Sequence, residues 1–351
     1  MRLMICAIDI FVGDAVGNHC LGIARCAQRS GWEVRLYARN FDIGVADIRP
    51  ISALFDEIAP EDILLVSYSI VDPQLDRLLA LPNRKACYFH GVTDPALLRE
   101  FEPVTAEYCE QAIAQLPKLV DFDLVVANSA YIAGGLAPYM DLGAIEVIPP
   151  VFADLPAFAV ECAPRHENGR FNMLALGRVV PHKRIEDSIR VLACAVTDGL
   201  DATLSIVGTA PNHEYTKSLL KLSRDLDVLA RVDFTGMIDD ADMLSSYDKA
   251  SILLSMSRHE GFCIPALEAM YRGIPAVVRA GHAAAEVVGD TGLVADVDAT
   301  PDRIAESILS LRRGEQWREL QRRARARAEG ILNACNDERW STLLNTIGQR
   351  A

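Results

Sequence analysis

Two carboxylates, Glu260 and Glu268, bracket a stretch of chain suited to holding a ligand through its backbone. The surrounding sequence, Ser255 to Val278, runs Ser-Met-Ser-Arg-His-Glu-Gly-Phe-Cys-Ile-Pro-Ala-Leu-Glu-Ala-Met-Tyr-Arg-Gly-Ile-Pro-Ala-Val-Val. Its pattern predicts the end of a buried strand over Ser251–Met256, then a tight loop, a helix and the next strand. Pro265 suits the first helical position, where its fixed φ helps and its missing N–H removes no bond. Ile264, just before it, carries no side-chain oxygen, so the amides at the helix start lack a local cap and can receive an anion. Gly261 lets the backbone approach a ligand closely. Two acids flanking uncapped N–H groups suit a sugar on one side, a ribose on the other and a phosphate between. Either acid alone has a simpler reading, because a first-turn glutamate complements the helix dipole and a loop glutamate can be merely solvated.

A second charged stretch is Leu176-Gly177-Arg178-Val179-Val180-Pro181-His182-Lys183. Gly177 permits a sharp turn after a strand, and Arg178 and Lys183 bring two positive charges to one edge, where they meet an anion or remain solvated. His90 follows another strand, in Tyr88-Phe89-His90-Gly91. Histidines there are usually structural, although a neutral imidazole can donate to a hydroxyl or a phosphate oxygen. Gly13 and Gly17 fall in a strand-to-helix turn that is not Gly-x-Gly-x-x-Gly, so a dinucleotide fingerprint is absent and a plain tight turn accounts for them. His259-Glu260 begins a zinc-like pattern, but Cys263 stands where the second histidine belongs. The triplets Asp121-Phe122-Asp123, Asp225-Leu226-Asp227 and Asp296-Val297-Asp298 read as surface acids. The first precedes a strand and the second lies in a helical stretch, whereas a metal-binding Asp-x-Asp would follow a strand.

The elements that must position these residues alternate. Strands are predicted at Arg2–Ala7, Glu33–Tyr37, Asp62–Ser67, Lys85–Phe89, Asp123–Ala127 and Ile145–Ile148, with helices between. One long helical segment, from about Pro95 to Lys118, carries Leu97, Leu98, Phe101, Val104 and Tyr108 at helical spacing. After an irregular, proline-bearing stretch from Pro149 to Gly169 the series resumes with strands at Phe171–Leu176, Thr203–Val207, Arg231–Phe234, Ser251–Met256 and Ala276–Val278. The tail, Asn333 to Ile347, reads as a helix. Alternation without hairpin signals predicts mostly parallel sheets, with ligands outside the carboxyl ends of the strands. The length of 351 residues points to roughly two domains. The domain expectation is 1–150, a linker over 151–169, a second domain over 170–332, and a final helix over 333–351.

A net charge of −13 argues against a nucleic-acid surface. No run approaches the roughly 20 apolar residues of a membrane span, and the opening residues read as a strand and not as a signal peptide. Seven arginines lie between Arg312 and Arg327. With Glu315 and Glu319 among them, a solvated helix explains them better than peripheral membrane contact, which the overall charge does not support. The nine cysteines form no Cys-x-x-Cys pair, which favours reduced, mostly buried thiols and a cytoplasmic setting. The sequence carries no signal of oligomeric state.

Glu-Gly-Phe-x-x-Pro-x-Leu-Glu-Ala followed by Gly-x-Pro closely resembles the carboxylate loop of the retaining GT-B glycosyltransferases of family 4, the glycosyl transferases group 1. Gly-Arg-x-x-x-x-Lys before a helix resembles the diphosphate clamp of the same family. The likeness runs along nearly the whole chain but is specific only in the second domain. It implies an α/β GT-B fold, two doubly wound Rossmann-like domains facing across a cleft, with the last helix packing back toward the first.

The implied activity is metal-independent transfer of a hexose, with retention, from a nucleotide diphosphate sugar to a carbohydrate or glycolipid hydroxyl. The donor is a substrate and no cofactor is implied. In that scheme Glu268 accepts from the ribose hydroxyls. Glu260, with the amides of Gly261, Phe262, Cys263 and Ile264, holds the sugar and the distal phosphate. Arg178 and Lys183 neutralise the leaving diphosphate. Met237 and Ile238 pass near the base, and His90 and Gly17 line the donor. Asp14, Asn18 and His19 take the acceptor side, though the first loop lacks the paired glycines many members have. GDP-mannose or a UDP-hexose are the leading donors, with a lean to mannose. A nucleotide-sugar epimerase of the same fold and a non-catalytic sugar-nucleotide-binding protein are the alternatives.

Overall fold

The computed structural model describes residues 2–44, 47–151, 156–159, 170–311 and 315–349. In the first sheet β1 (Arg2–Ile10), β2 (Glu33–Phe41), β3 (Ile48–Pro50), β4 (Ile63–Tyr68), β5 (Arg84–Phe89), β6 (Leu124–Ala127) and β7 (Ile145–Val147) pair in the order β3-β2-β1-β4-β5-β6-β7. Every pair is parallel. Residue alternation explains why. Leu3, Ile5 and Ala7 of β1 enter one core with Ile63 and Leu65, while Met4 and Cys6 enter the other with Leu64 and Val66. Strands that are apolar on both faces need helices above and below, which crossover connections supply. Those helices are α1 (Ala15–Arg29), α2 (Ile51–Glu57), α3 (Leu75–Leu79), α4 (Pro103–Gln115) and α5 (Ala130–Gly134).

After α6 (Pro156–Ala159) the second sheet forms from β8 (Phe171–Leu176), β9 (Ala202–Val207), β10 (Val232–Gly236), β11 (Ile252–Ser255), β12 (Ala276–Arg279) and β13 (Leu293–Ala295). Its order is β10-β9-β8-β11-β12-β13, again all parallel. The helices that follow are α7 (Ile185–Thr197), α8 (His213–Asp225), α9 (Asp240–Lys249), α10 (Ile264–Tyr271), α11 (Ala283–Val288), α12 (Pro301–Leu311), α13 (Glu315–Ala334) and α14 (Asp337–Gln349), the last of which belongs to the first unit. In each sheet the order reverses once, between β1 and β4 and between β8 and β11. Loops leaving adjacent strands in opposite directions there open a crevice at the carboxyl ends.

The chain forms two compact units, one of Met1–Asp94, Glu107–Asp154 and Ile331–Ala351, the other of Pro95–Ala106 and Leu155–Gly330. The segment Pro95–Ala106 thus departs from the simple division at residue 150. Phe101 stacks on Tyr215 at 5.1 Å, and its carbonyl accepts from the Asn212 side chain at 2.6 Å. The expected long helix is also broken. A 3-10 turn at Pro95–Leu97 precedes α4, which starts at Pro103 because a proline is favoured at a helix start and disfavours helical backbone before it. Val104 and Tyr108, expected on a buried face, are 61% and 46% exposed. Two edge strands, β3 and β13, were not anticipated; three residues each show no usable periodicity. Of the expected linker, 152–155 and 160–169 lie outside the described residues.

Helix α14 supplies Trp340, Leu343, Leu344 and Ile347 to the core beneath α1. Arg84 donates to the carbonyls of Ile347 and Gly348 at 3.0 and 2.7 Å, satisfying acceptors that a helix end leaves open. In α13, Arg322 pairs with Glu319, Arg325 with Glu329 and Arg323 with Asp290. Among the described residues no helix is long and apolar enough to cross a membrane. The docking of α14 makes a testable demand. Leu344→Ala should lower stability by about 2–5 kcal/mol, the range for a cavity at a fully buried leucine. A urea midpoint equal to the parent's would show that α14 adds nothing to the core.

Candidate functional site

In the second unit the chain leaves β8 through Gly177, whose φ of 132° suits only glycine. Gly208, at the end of β9 with φ 140°, packs so closely that a Cβ there would run into the Gly177 carbonyl. The chain then makes a 3-10 turn over Pro181–Lys183. From that turn Lys183 reaches Glu260, in the loop after β11, and Nζ donates to both carboxylate oxygens at 2.7 and 2.9 Å. Ser257 Oγ donates to Oε1 at 2.7 Å. His282 fixes Ser257 in turn: its Nδ1 accepts from the Ala284 amide, so Nε2 carries the proton donated to the Ser257 carbonyl at 2.8 Å.

Burial alone would raise the Glu260 carboxyl; the Lys183 ammonium, helped by the Ser257 hydroxyl, outweighs it and holds the pKa down at about 2. His182, next to Lys183, is held neutral by burial and by that ammonium, with its pKa lowered to about 3. Lys183 and Glu260, expected to meet the diphosphate and the sugar, are each other's partners in one ion pair. Arg178 is exposed and makes no hydrogen bond or ion pair among the described residues.

Helix α10 begins one residue earlier than expected, with Cys263 as its N-cap and Ile264 as its first residue. Cys263 has φ 79°, a left-handed conformation rare outside glycine, and no side chain caps the helix. The amides of Cys263 and Ile264 donate to no acceptor among the described residues. Gly261 is half-buried and Phe262 buried beside Glu260. Glu268, one turn on, is buried, and its Oε2 accepts from the Tyr247 hydroxyl at 2.5 Å. Burial pushes its pKa up to about 7, against the pull of Tyr247 and Arg272. Met237 is 74% exposed and Ile238 half-buried, just past the positive-φ Gly236.

The first unit presents a separate constellation at its own reversal point. His90 follows β5, with Nε2 at 2.8 Å from Ser67 Oγ and a pKa lowered by burial to about 3, so the ring is neutral. Of the four residues expected in the first loop, Asp14 and Asn18 bond to the backbone of the turn itself. Asp14 caps α1 by accepting from Val16 and Gly17, and Asn18 Oδ1 accepts from the Gly13 amide. Gly17 packs on Phe11 with no room for a Cβ. His19 is 1% exposed and its Nδ1 accepts from the Val151 amide.

Four residues the sequence reasoning passed over matter here: Ser257, His282, Tyr247 and Gly208. Ser257 had a signal, lying three residues before Glu260 in a tight loop, and Gly208 had one as the first residue after an apolar strand. His282 and Tyr247 reach the site from other elements and had none. Among the described residues no group of three or more His, Cys, Asp or Glu side chains is arranged for a metal ion.

Residues 163–330 match the family model for glycosyl transferases group 1. This domain belongs to that family. N-acetyl-alpha-D-glucosaminyl L-malate synthase of Bacillus anthracis is 34% identical over 168 residues, 47% of this chain and 42% of that protein. GDP-mannose-dependent alpha-(1-6)-phosphatidylinositol dimannoside mannosyltransferase of Mycobacterium tuberculosis is 36% identical over 159 residues, 44% of this chain and 38% of that protein. The chain thus spans less than half the length of these relatives. Anabaena HepE, solved in complex with UDP-glucose, superposes with a TM-score of 0.77 at 16% identity, covering 99% of this chain and 100% of that one. The two parallel α/β units have the GT-B fold. Both stretches, Gly177–Lys183 and Glu260–Glu268, fall inside the group 1 domain.

The ion pair of the group 1 domain sets a pH dependence. A carboxyl at about 2 when folded, against 4.5 ordinarily, contributes stability that is present above pH 4.5 and lost as the pH falls toward 2. Lys183→Met should therefore lower stability at pH 7 by up to about 3 kcal/mol, the low end for a broken buried pair, because the lysine keeps 22% exposure. The deficit should shrink below pH 4.5. Urea denaturation at a series of pH values checks it, and a pH-independent deficit would exclude the pair as its source.

Proposed function

We propose that the chain is a metal-independent, retaining glycosyltransferase that moves a hexose from a nucleoside diphosphate sugar to a carbohydrate or glycolipid hydroxyl. The observation that carries this reading is the pair of half-buried Lys183 and buried Glu260 beside the uncapped start of α10, within a group 1 domain. It places a fixed cation, a fixed anion and open amides within one loop cluster. The relatives, one a GDP-mannose-dependent mannosyltransferase, and the UDP-glucose complex of HepE support a nucleotide-sugar donor. GDP-mannose and a UDP-hexose are the two donors to test first.

In this reading the bond between the anomeric carbon and the diphosphate oxygen breaks, leaving negative charge on the diphosphate. Lys183, Arg178 and the amides at the start of α10 stabilise that charge more as it develops than before, which lowers the barrier. Glu260 and the amides of Gly261 and Phe262 hold the sugar hydroxyls, and Glu268 holds the ribose. Met237 and Ile238 border the base. The acceptor oxygen bonds to the same face, and its proton passes to the departing phosphate oxygen. His90, neutral and tied to Ser67, donates from its ring to the donor. Asp14, Gly17, Asn18 and His19 shape the acceptor loop.

Incubation with GDP-mannose or UDP-glucose, with and without acceptor extracts, should release nucleoside diphosphate only when acceptor is present. Isomerised sugar without acceptor would indicate an epimerase, and binding without turnover a non-catalytic protein. Activity should survive excess chelator; its loss, with rescue by manganese or magnesium, would reject metal independence. Lys183→Ala should reduce turnover roughly 10–100-fold, the worth of one charge-assisted hydrogen bond of about 1.5–3 kcal/mol in the transition state. Arg178→Lys should fall short of the parent, since a point charge does not reproduce a planar fork. A folded Lys183→Ala protein with parental turnover would remove the clamp from the mechanism.

A further inference from the structure

Glu268 has a neighbour that the scheme above leaves without a task. Tyr247 lies on α9, is fully buried, and donates through its hydroxyl to Glu268 Oε2 at 2.5 Å. Oε1 meets no donor among the described residues. The two helices are locked together at this level. Arg272, at the end of α10, pairs with Asp248 of α9 at 2.5 Å, and its own amide donates to the Glu268 carbonyl at 3.0 Å. A carboxylate held at one oxygen by a rigid aromatic donor cannot rotate, so its second oxygen keeps one direction.

We propose that Tyr247 is a positioning residue for the nucleotide, its hydroxyl holding one oxygen of Glu268 so that the other accepts from the ribose hydroxyls of the donor. This rests on the reading of Glu268 as the ribose acid. It adds a residue on a different helix and makes the orientation of the carboxylate, as well as its presence, a condition for binding.

The electrostatics of the pair supply a readout that simple packing would not. Burial raises the Glu268 carboxyl to about 7; Tyr247 and Arg272 lower it and Asp240 raises it. Burial, with Glu268 and Cys263 nearby, pushes the Tyr247 phenol well up, so the hydroxyl keeps its proton and always donates. Ribose hydroxyls need an acceptor, which the ionised carboxylate offers at both oxygens. Nucleotide binding should therefore weaken as the pH falls through about 7 and should release a proton near neutrality. The unliganded protein shows the opposite trend: a folded pKa above the ordinary 4.5 favours stability at low pH and loses it as the pH rises through 7.

The test is calorimetric titration of the purified chain with UDP and GDP, and with their 2′-deoxy counterparts, between pH 5.5 and 8.5. The parent is compared with Tyr247→Phe and Glu268→Ala. Tyr247→Phe should weaken the preferred nucleotide about 10-fold at pH 7, narrow the ribose-to-deoxyribose preference and move the pH midpoint upward. If Tyr247→Phe lowers only the melting temperature and leaves that preference and midpoint parental, while Glu268→Ala loses both, the proposal fails and the ribose reading stands. If Glu268→Ala itself binds ribo- and deoxyribonucleotides as the parent does, the ribose reading fails first. Should Tyr247→Phe not fold, 3-fluorotyrosine at position 247 keeps the ring and makes the hydroxyl a stronger donor. The midpoint should then move downward, and an unmoved midpoint overturns the proposal.

Discussion

A carboxylate stays ionised below the surface only where a fixed cation and hydrogen-bond donors replace its lost water. Glu260 meets that condition through Lys183 and Ser257, and the requirement reaches well beyond the three side chains. Lys183 must arrive from the turn after β8, which needs the positive φ of Gly177 and, against its carbonyl, a Gly208 without a side chain. Ser257 must be held at the end of β11, which His282 does from the start of α11. The carboxylate thus ties together loops from both sides of the point where the strand order reverses. A parallel sheet brings those loops near one another; the ion pair sets their spacing.

The second glutamate has the same chemistry in a different setting. Glu268 has a phenol where Glu260 has an ammonium, and burial therefore dominates its ionisation. Within one loop and helix the protein keeps one acid charged across the physiological range and leaves the other near its titration point. The difference comes from the partners and not from depth, since both side chains are buried. For the proposed reaction this separates an acid that is always an anion from one whose charge answers to its ligand.

The fold was largely legible because apolar runs such as Leu3–Ile5 and Ile252–Leu254 leave little choice but a strand buried on both faces. The short edges β3 and β13 were not, since three residues carry too little pattern. Phe101 and its segment were placed with the wrong unit because sequence order gives no hint of the contact with Tyr215 and Asn212. At the candidate site, residue types and spacing singled out Glu260, Glu268, Arg178 and Lys183 as the residues to expect there. They did not reveal that Lys183 and Glu260 are partners, because residues far apart in sequence announce no distance. Asp14 and Asn18 show a demand that spacing does not display: polar residues in a glycine-bearing turn also satisfy the turn's own backbone.

The route of the chain has a consequence for how the protein is made. The core beneath α1 is closed by Trp340, Leu343, Leu344 and Ile347, so the unit whose strands are synthesised first is finished by a helix that is synthesised after the whole second sheet. The second unit ends at Gly330 and takes only Pro95–Ala106 from upstream of Leu155. Vectorial emergence from the ribosome ordinarily lets N-terminal domains fold first. Here the later unit can complete itself earlier, while the nascent first unit waits with an apolar face uncovered.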